Sequence, residues 1–229
     1  MASWMVHLRI ADVLLQHLKR IEKTEFVMGS MAPDSGVPNE DWSEYHPPKS
    51  VSHFQTKTGG GSVIDPERFC DRYFNERIIS GYNRREFSFF FGYYAHLLTD
   101  VRWINTICAS LKQDHRAEYA CDKDKLYRAA KEDWYDLDFL YLKQHPDFCA
   151  FSIYENAVGF DNEYMDLFSR DAFENRRRYI CAFYRSGEHG NLARDYRYLT
   201  PERAETFVKE TSEWIAKLTD QFFKLRRED

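Results

Sequence analysis

Glycine and proline are scarce in this chain, 10 and 7 among 229 residues, which disfavours a turn-rich β fold and favours long helices. Cysteine is sparse and odd in number. Cys70, Cys108, Cys121, Cys149 and Cys181 are scattered without a C-x-x-C pair, which argues for free thiols in a reducing cytosol and against a cysteine zinc site. No apolar run is long enough to cross a bilayer. The opening MASWMVHLRIADVLL lacks the basic stretch and unbroken apolar core of a signal peptide. Excess positive charge is missing too: a net charge of −5 and a pI near 5.9 give no polybasic reason to seek nucleic acid or an anionic membrane. The tight basic run Arg176-Arg177-Arg178 points in several directions on a helix and reads as a solvated face. Internal repeats, heptads and convincing strand alternation are absent. The expectation is a soluble, cytoplasmic protein.

What the chain does have is aromatic side chains, 17% of the sequence, with 18 Phe and 15 Tyr. Such a composition opposes disorder, and the length suffices for a sizeable core. The periodicities predict an all-α architecture, one domain over residues 1–229 with roughly seven to nine helices. Ser3 is placed to N-cap a first helix to about Arg20, with His7, Ile10, Ala11, Leu14, Leu15 and Leu18 facing inward. A short segment, Thr24–Met31, leads into GSMAPDSG, which puts Asp34 on a tight turn. Val37–Gly61 reads as a long irregular loop carrying Trp42, Tyr45, His46 and Ser52-His53-Phe54. Its run Gly59-Gly60-Gly61 lacks the Lys-Ser/Thr of a phosphate-binding loop and reads as a flexible tip. Asp65-Pro66 starts the next helix, running to about Ile79. A charged connector at Lys112–Lys125 precedes a helix over Leu126–Leu142, and further helices are expected at Asn162–Phe168, Asp171–Phe183 and from Pro201 to the C-terminus.

The organising stretch is FSFFFGYYAHLLTDVRW, Phe87–Trp103, which reads as one largely buried helix with room to continue to Leu111. It sets His96 and Asp100 four residues apart on one face, with Gly92 one turn earlier on the same line, where something can approach the backbone. An imidazole and a carboxylate at this spacing can hold one divalent metal. A core histidine bonded to a helical carboxylate accounts for the same pair. Each of His7, Asp34 and His53 likewise has a plain reading, as a hydrogen-bonded core residue, an Asx turn and a loop residue.

In order, a helix-initial histidine (His7, in HLRIA), a Pro-Asp turn (Asp34), a Ser-His-Phe loop (His53) and H-x-x-x-D on a buried helix (His96, Asp100) resemble the zinc-dependent phospholipase C family. Fungal and plant single-strand nucleases share that family's all-helical fold. The resemblance covers about the first 105 residues. It implies zinc, two or three ions, held by His7, Asp34, His53, His96 and Asp100, with Asp34 bridging two of them and serving catalysis. It also implies hydrolysis of a small-molecule or lipid phosphoester, metal-activated water attacking phosphorus. Two departures stand out. The family's N-terminal tryptophan binds metal through its free amine, whereas Trp4 here follows Met-Ala-Ser. The family also has a histidine six residues after the H-x-x-x-D aspartate, then an H-x-x-x-E pair; here that position is Thr106, and no such pair follows. Carboxylates of the DWYDLD patch (Asp133, Asp136, Asp138) are the candidate replacements, which would make the site oxygen-rich and bring Mn or Fe into competition with Zn. The alternative is a helical binding protein that has lost part of the metal cluster. An HD-type phosphohydrolase is disfavoured because no histidine is followed by aspartate.

Overall fold

The computed structural model describes residues 1–41, 44–59 and 61–225. Helices dominate them, as the sparse glycine and proline require: α1 (Trp4–His17), α2 (Lys23–Met31), α3 (Lys49–Ser52), α4 (Pro66–Tyr73), α5 (Glu76–Ile79), α6 (Arg84–Trp103), α7 (Ala109–Asp114), α8 (Arg116–Gln144), α9 (Cys149–Asn156), α10 (Ala172–Arg185) and α11 (Pro201–Leu225). The fold is all-α, and buried apolar side chains from α1 through α11 form one contiguous core. No helix among the described residues is long and apolar enough to cross a membrane.

The central helix α6 begins three residues before its apolar run. Asn83 caps it by accepting from the Glu86 N–H at 3.0 Å, and Glu86 returns the bond to the Asn83 N–H at 2.8 Å. From Phe87 to Asp100 every residue is buried. Helix α2 crosses it with backbone nearly touching backbone. A Cβ on Gly92 would lie 2.1 Å from the Phe26 carbonyl oxygen, and one on Gly29 2.0 Å from the Phe89 carbonyl oxygen. The approach expected at Gly92 is therefore that of another helix.

Several boundaries differ from expectation. The segment Val37–Gly61 is not all loop. Strand β1 (Val37–Pro38) pairs antiparallel with β2 (Tyr45–His46), and β3 (Gln55–Thr58) pairs with β4 (Gly61–Ile64), in registers Val37↔His46 and Gln55↔Ile64. Thr56, Thr58, Val63 and Ile64 are β-branched, and Gly61, paired with Thr58, takes φ +132°. Trp42 and Gly60 lie outside the described residues. The connector Lys112–Lys125 is mostly helical: α8 starts at Arg116 and breaks its geometry only at Asp122. No helix forms at 162–168, because the Asn162 side chain takes over the local backbone. Its amide donates to the carbonyls of Met165 and Phe168, and its oxygen accepts from the N–H groups of Tyr164 and Met165.

Candidate metal centre

Five side chains far apart in sequence meet where α1, the turn after α2, α3 and α6 converge. His96 and Asp100 come from the inward face of α6, His7 from α1, Asp34 from a 3-10 turn (Ala32–Asp34), and His53 from the end of α3. All are buried: 0–2% exposed for His7, His53, His96 and Asp100, and 9% for Asp34. The glycine crossing has a direct effect here. It brings α2 close enough for the Ser30 carbonyl to accept from His96 Nδ1–H at 2.8 Å, which fixes the tautomer and leaves Nε2 with a free lone pair facing the cluster. Nδ1 of His53 is bonded to Ser52 Oγ at 3.0 Å, and the Tyr93 hydroxyl of α6 donates to the Ser52 carbonyl, so the central helix also props α3.

The atoms facing the centre are too far apart for good hydrogen bonds and suitably placed to share an ion. His53 Nε2 lies 3.3 Å from His96 Nε2, 3.5 Å from Asp100 Oδ2 and 3.6 Å from Asp34 Oδ1; His96 Nε2 lies 3.5 Å from Asp100 Oδ2. Charge-assisted N–H···O bonds close to ~2.7–2.9 Å. A tetrahedron with metal–ligand distances of ~2.0–2.1 Å has edges of ~3.3–3.4 Å, close to the separations found. Asp100 Oδ2 and both His7 ring nitrogens are buried with no hydrogen-bond partner, an arrangement that proteins avoid unless something else satisfies the groups. Two groups satisfy metal-ligand spacing, His53–His96–Asp34 and His7–His96–Asp100. Asp100 faces both sides: Oδ2 looks at His53 and His96, while Oδ1 is 3.5 Å from His7 Nε2 and accepts from the Ala2 N–H at 2.7 Å. The residues fit a metal ion.

Burial pushes the His53 imidazole down to about 4 against the pull of Asp34, so it is neutral at pH 7 with its lone pair available. Burial, then the neighbouring His96, lowers His7 as well. The two rings stack at 3.7 Å with planes 5° apart, a geometry that disfavours charging both. Burial would raise both carboxylates, but the neighbouring charges outweigh it. Lys49, His96 and His53 hold Asp34 well below the usual carboxylate range, and the neighbouring His7 and His96 imidazoles do the same for Asp100. His96 alone among the three imidazoles is raised, because Asp100 outweighs its burial.

The acidic patch does not join them. Asp133 Oδ1 accepts from Arg194 at 2.6 Å and its Oδ2 from the Tyr198 N–H at 2.6 Å; Asp136 accepts from the same guanidinium at 2.8 Å and from the Gly190 N–H at 3.2 Å. Among the described residues, neither falls in a group with metal-ligand spacing. They were expected to replace the missing histidines; in the structure Arg194, 61 residues downstream of Asp133, pairs with both of them. Asp138 accepts from the hydroxyls of Ser3 and Tyr184. Thr106 lies in a π-helical turn (Ile104–Cys108), its hydroxyl bonded to the Arg102 carbonyl at 2.7 Å. His115 pairs with Glu118 on the surface.

Sequence reading missed Lys49, whose ammonium lies 3.4 Å from Asp34 Oδ1. The signal was its position four residues before His53, one helical turn away on the same face. It also missed a cavity of about 750 Å³ lined by Trp4, Tyr135, Phe139, Tyr179 and Phe183, with Arg128 and Lys131 among its charged groups. Trp4 is one turn before His7 on α1, so the helix that carries a candidate ligand also walls the cavity.

No curated protein and no solved structure matches the chain. The family model described as zinc dependent phospholipase C matches residues 6–103, a span that holds His7, Asp34, His53, His96 and Asp100. Over that span the chain is similar to the zinc-dependent phospholipase C family.

Proposed function

We propose that the protein is a zinc-dependent phosphoester hydrolase of phospholipase C type, acting on a small-molecule or lipid phosphoester. The observation that carries this is that His53 Nε2 lies at about tetrahedral-edge distance from His96 Nε2, Asp34 Oδ1 and Asp100 Oδ2, with Asp100 Oδ2 otherwise unpartnered. Two nitrogens and two carboxylate oxygens suit zinc, and the oxygen-rich argument for Mn or Fe goes with the Asp133/Asp136 ligands that prompted it. The ligand set offers two three-residue groups that share His96, His53–His96–Asp34 and His7–His96–Asp100. Asp100 would serve ions on either side, since its Oδ2 faces His53 and His96 and its Oδ1 faces His7. Zinc held there supplies Lewis acidity, lowering the pKa of an attacking water and offsetting charge on the phosphoryl oxygens.

The chain's own residues do the rest. Ser30 and Ser52 orient the two imidazoles. Asp34, the most exposed member and kept ionised, accepts a hydrogen bond from the water that attacks phosphorus. Tyr45 stands at the opening, since Lys49 reaches both it and Asp34. The aromatic cavity takes the organic part of the ester. The cytoplasmic location and the single domain expected from the sequence belong to this proposal.

Elemental analysis of the purified protein, with turnover of a generic phosphodiester, tests it. Zinc in the parent, lost in His96→Ala and Asp34→Asn along with turnover, is the expected result. A metal-free parent whose two variants are equally stable leaves the alternative, a binding-only helical protein.

A further inference from the structure

The later histidine and the His/Glu pair that the resemblance implies are absent from the sequence. The candidate replacements Asp133 and Asp136 are engaged by Arg194, and Thr106, at the position of the missing histidine, bonds its own helix. What does stand beside Asp34 is Lys49. Its Nζ is 3.4 Å from Asp34 Oδ1, the same oxygen that lies 3.6 Å from His53 Nε2. Lys49 is the first residue of α3, following Pro47-Pro48, and this places it one turn from His53 on the face turned toward the centre. Its side chain is 43% exposed while Asp34 is 7%, so the ammonium stands at the mouth of a buried site. It also lies 5.6 Å from the centre of the Tyr45 ring, and the Arg176 guanidinium, anchored on the Gly36 carbonyl, lies 6.0 Å from that ring.

We infer that Lys49 takes the place of a second metal cation on the outer side of Asp34, and that its ammonium group receives a non-bridging phosphoryl oxygen of the substrate. This rests on the hydrolase reading above. An ammonium is a compact charge with three donors on a flexible stem. One donor serves Asp34, and two remain for an incoming phosphoryl group. Unlike an ion, Lys49 needs no further ligands, which accounts for a site that keeps Asp34 while lacking the later histidines.

The test uses the full chain and the variants Lys49→Met and Lys49→Arg, read by zinc affinity, binding of inorganic phosphate to the zinc-loaded protein, and kcat on a generic phosphodiester. Lys49→Met is expected to bind zinc roughly tenfold more tightly, because a competing positive charge leaves Asp34; the full Coulomb effect is cut by the half-exposed position of the lysine. The same variant should bind phosphate roughly tenfold more weakly and lose kcat by ~100-fold, as loss of one transition-state donor does. Lys49→Arg, which keeps the charge, should recover part of the phosphate affinity. A purely structural lysine would instead lose zinc and turnover together, and that result overturns the inference. So does a zinc-loaded Lys49→Met protein with parental phosphate affinity and kcat, which leaves the hydrolase reading standing. Absence of zinc from the parent overturns both. If the zinc-loaded parent fails to turn over the ester, the phosphate arm still decides the role of Lys49.

Discussion

Replacing Gly92 by alanine sets a methyl group 2.1 Å from the Phe26 carbonyl oxygen, 2.8 Å from the Ser30 nitrogen and 3.1 Å from the Gly29 carbonyl carbon. Both sides of this contact are helix backbone, so no rotamer change relieves it. A carbon–oxygen contact of ordinary length requires α2 and α6 to part by about 1 Å, which opens the packing between them, the Phe26–Phe91 stack at 5.3 Å included. Inserting one methylene into a close-packed core costs ~1–3 kcal/mol, and a backbone-to-backbone clash belongs at or above the upper end, about 3 kcal/mol. For a chain of this size that is a fall in Tm of ~6–12 °C. The site should feel the change as well, because the Ser30 carbonyl rides on α2. Lengthening its 2.8 Å bond to His96 Nδ1 loosens the ring that presents Nε2, and loss of such an orienting partner typically costs 10–100-fold in metal affinity. Calorimetry and zinc titration of Gly92→Ala measure both effects. Gly59→Ala is the control, since a Cβ there meets nothing within 4 Å and should change stability by less than ~0.5 kcal/mol. A Gly92→Ala protein with the parent's Tm and zinc affinity would refute the helix crossing as the support of His96.

Three further outcomes follow from the same geometry. Arg194→Met strands Asp133, only 2% exposed, beside Asp136, and should cost ~3 kcal/mol in urea unfolding while zinc content stays at the parent's level; loss of zinc would return the patch to the metal centre. Chelation with EDTA should lower Tm in the parent and not in His96→Ala, because an ion bound only by the folded state adds stability by mass action. Burial outweighs the Tyr184 and Ser3 hydroxyls and raises Asp138 to about 7, from 3.8 in the unfolded chain. Between about pH 4 and 7 the folded state therefore holds the extra proton, and stability falls as pH rises through that window by at most about 4 kcal/mol. Asp138→Asn should remove this slope in denaturant melts at pH 4, 6 and 8; a slope unchanged by the substitution refutes the assignment.

Much of this protein was legible along the chain because the cues were local. Asp65-Pro66, the apolar run of α6 and the four-residue step from His96 to Asp100 depend on helix periodicity and capping, which neighbouring residues set. His7, Asp34 and His53 were found through the order of motifs, not through any property of each residue alone. The segment 162–168 was decided by competition between side-chain and backbone hydrogen bonds, which Asn162 won, and the connector before Leu126 joined the helix that follows it.

The sequence by itself determined that the chain is helical, that α6 is buried and that a histidine and a carboxylate share its inner face. Tertiary structure alone decided which charges meet. Asp133 and Asp136 read as candidate metal ligands until Arg194, distant in sequence, folds onto them, while Lys49 goes unremarked until α3 turns it toward Asp34. Electrostatic partnership depends on distance in space, and a chain fixes only distances along itself.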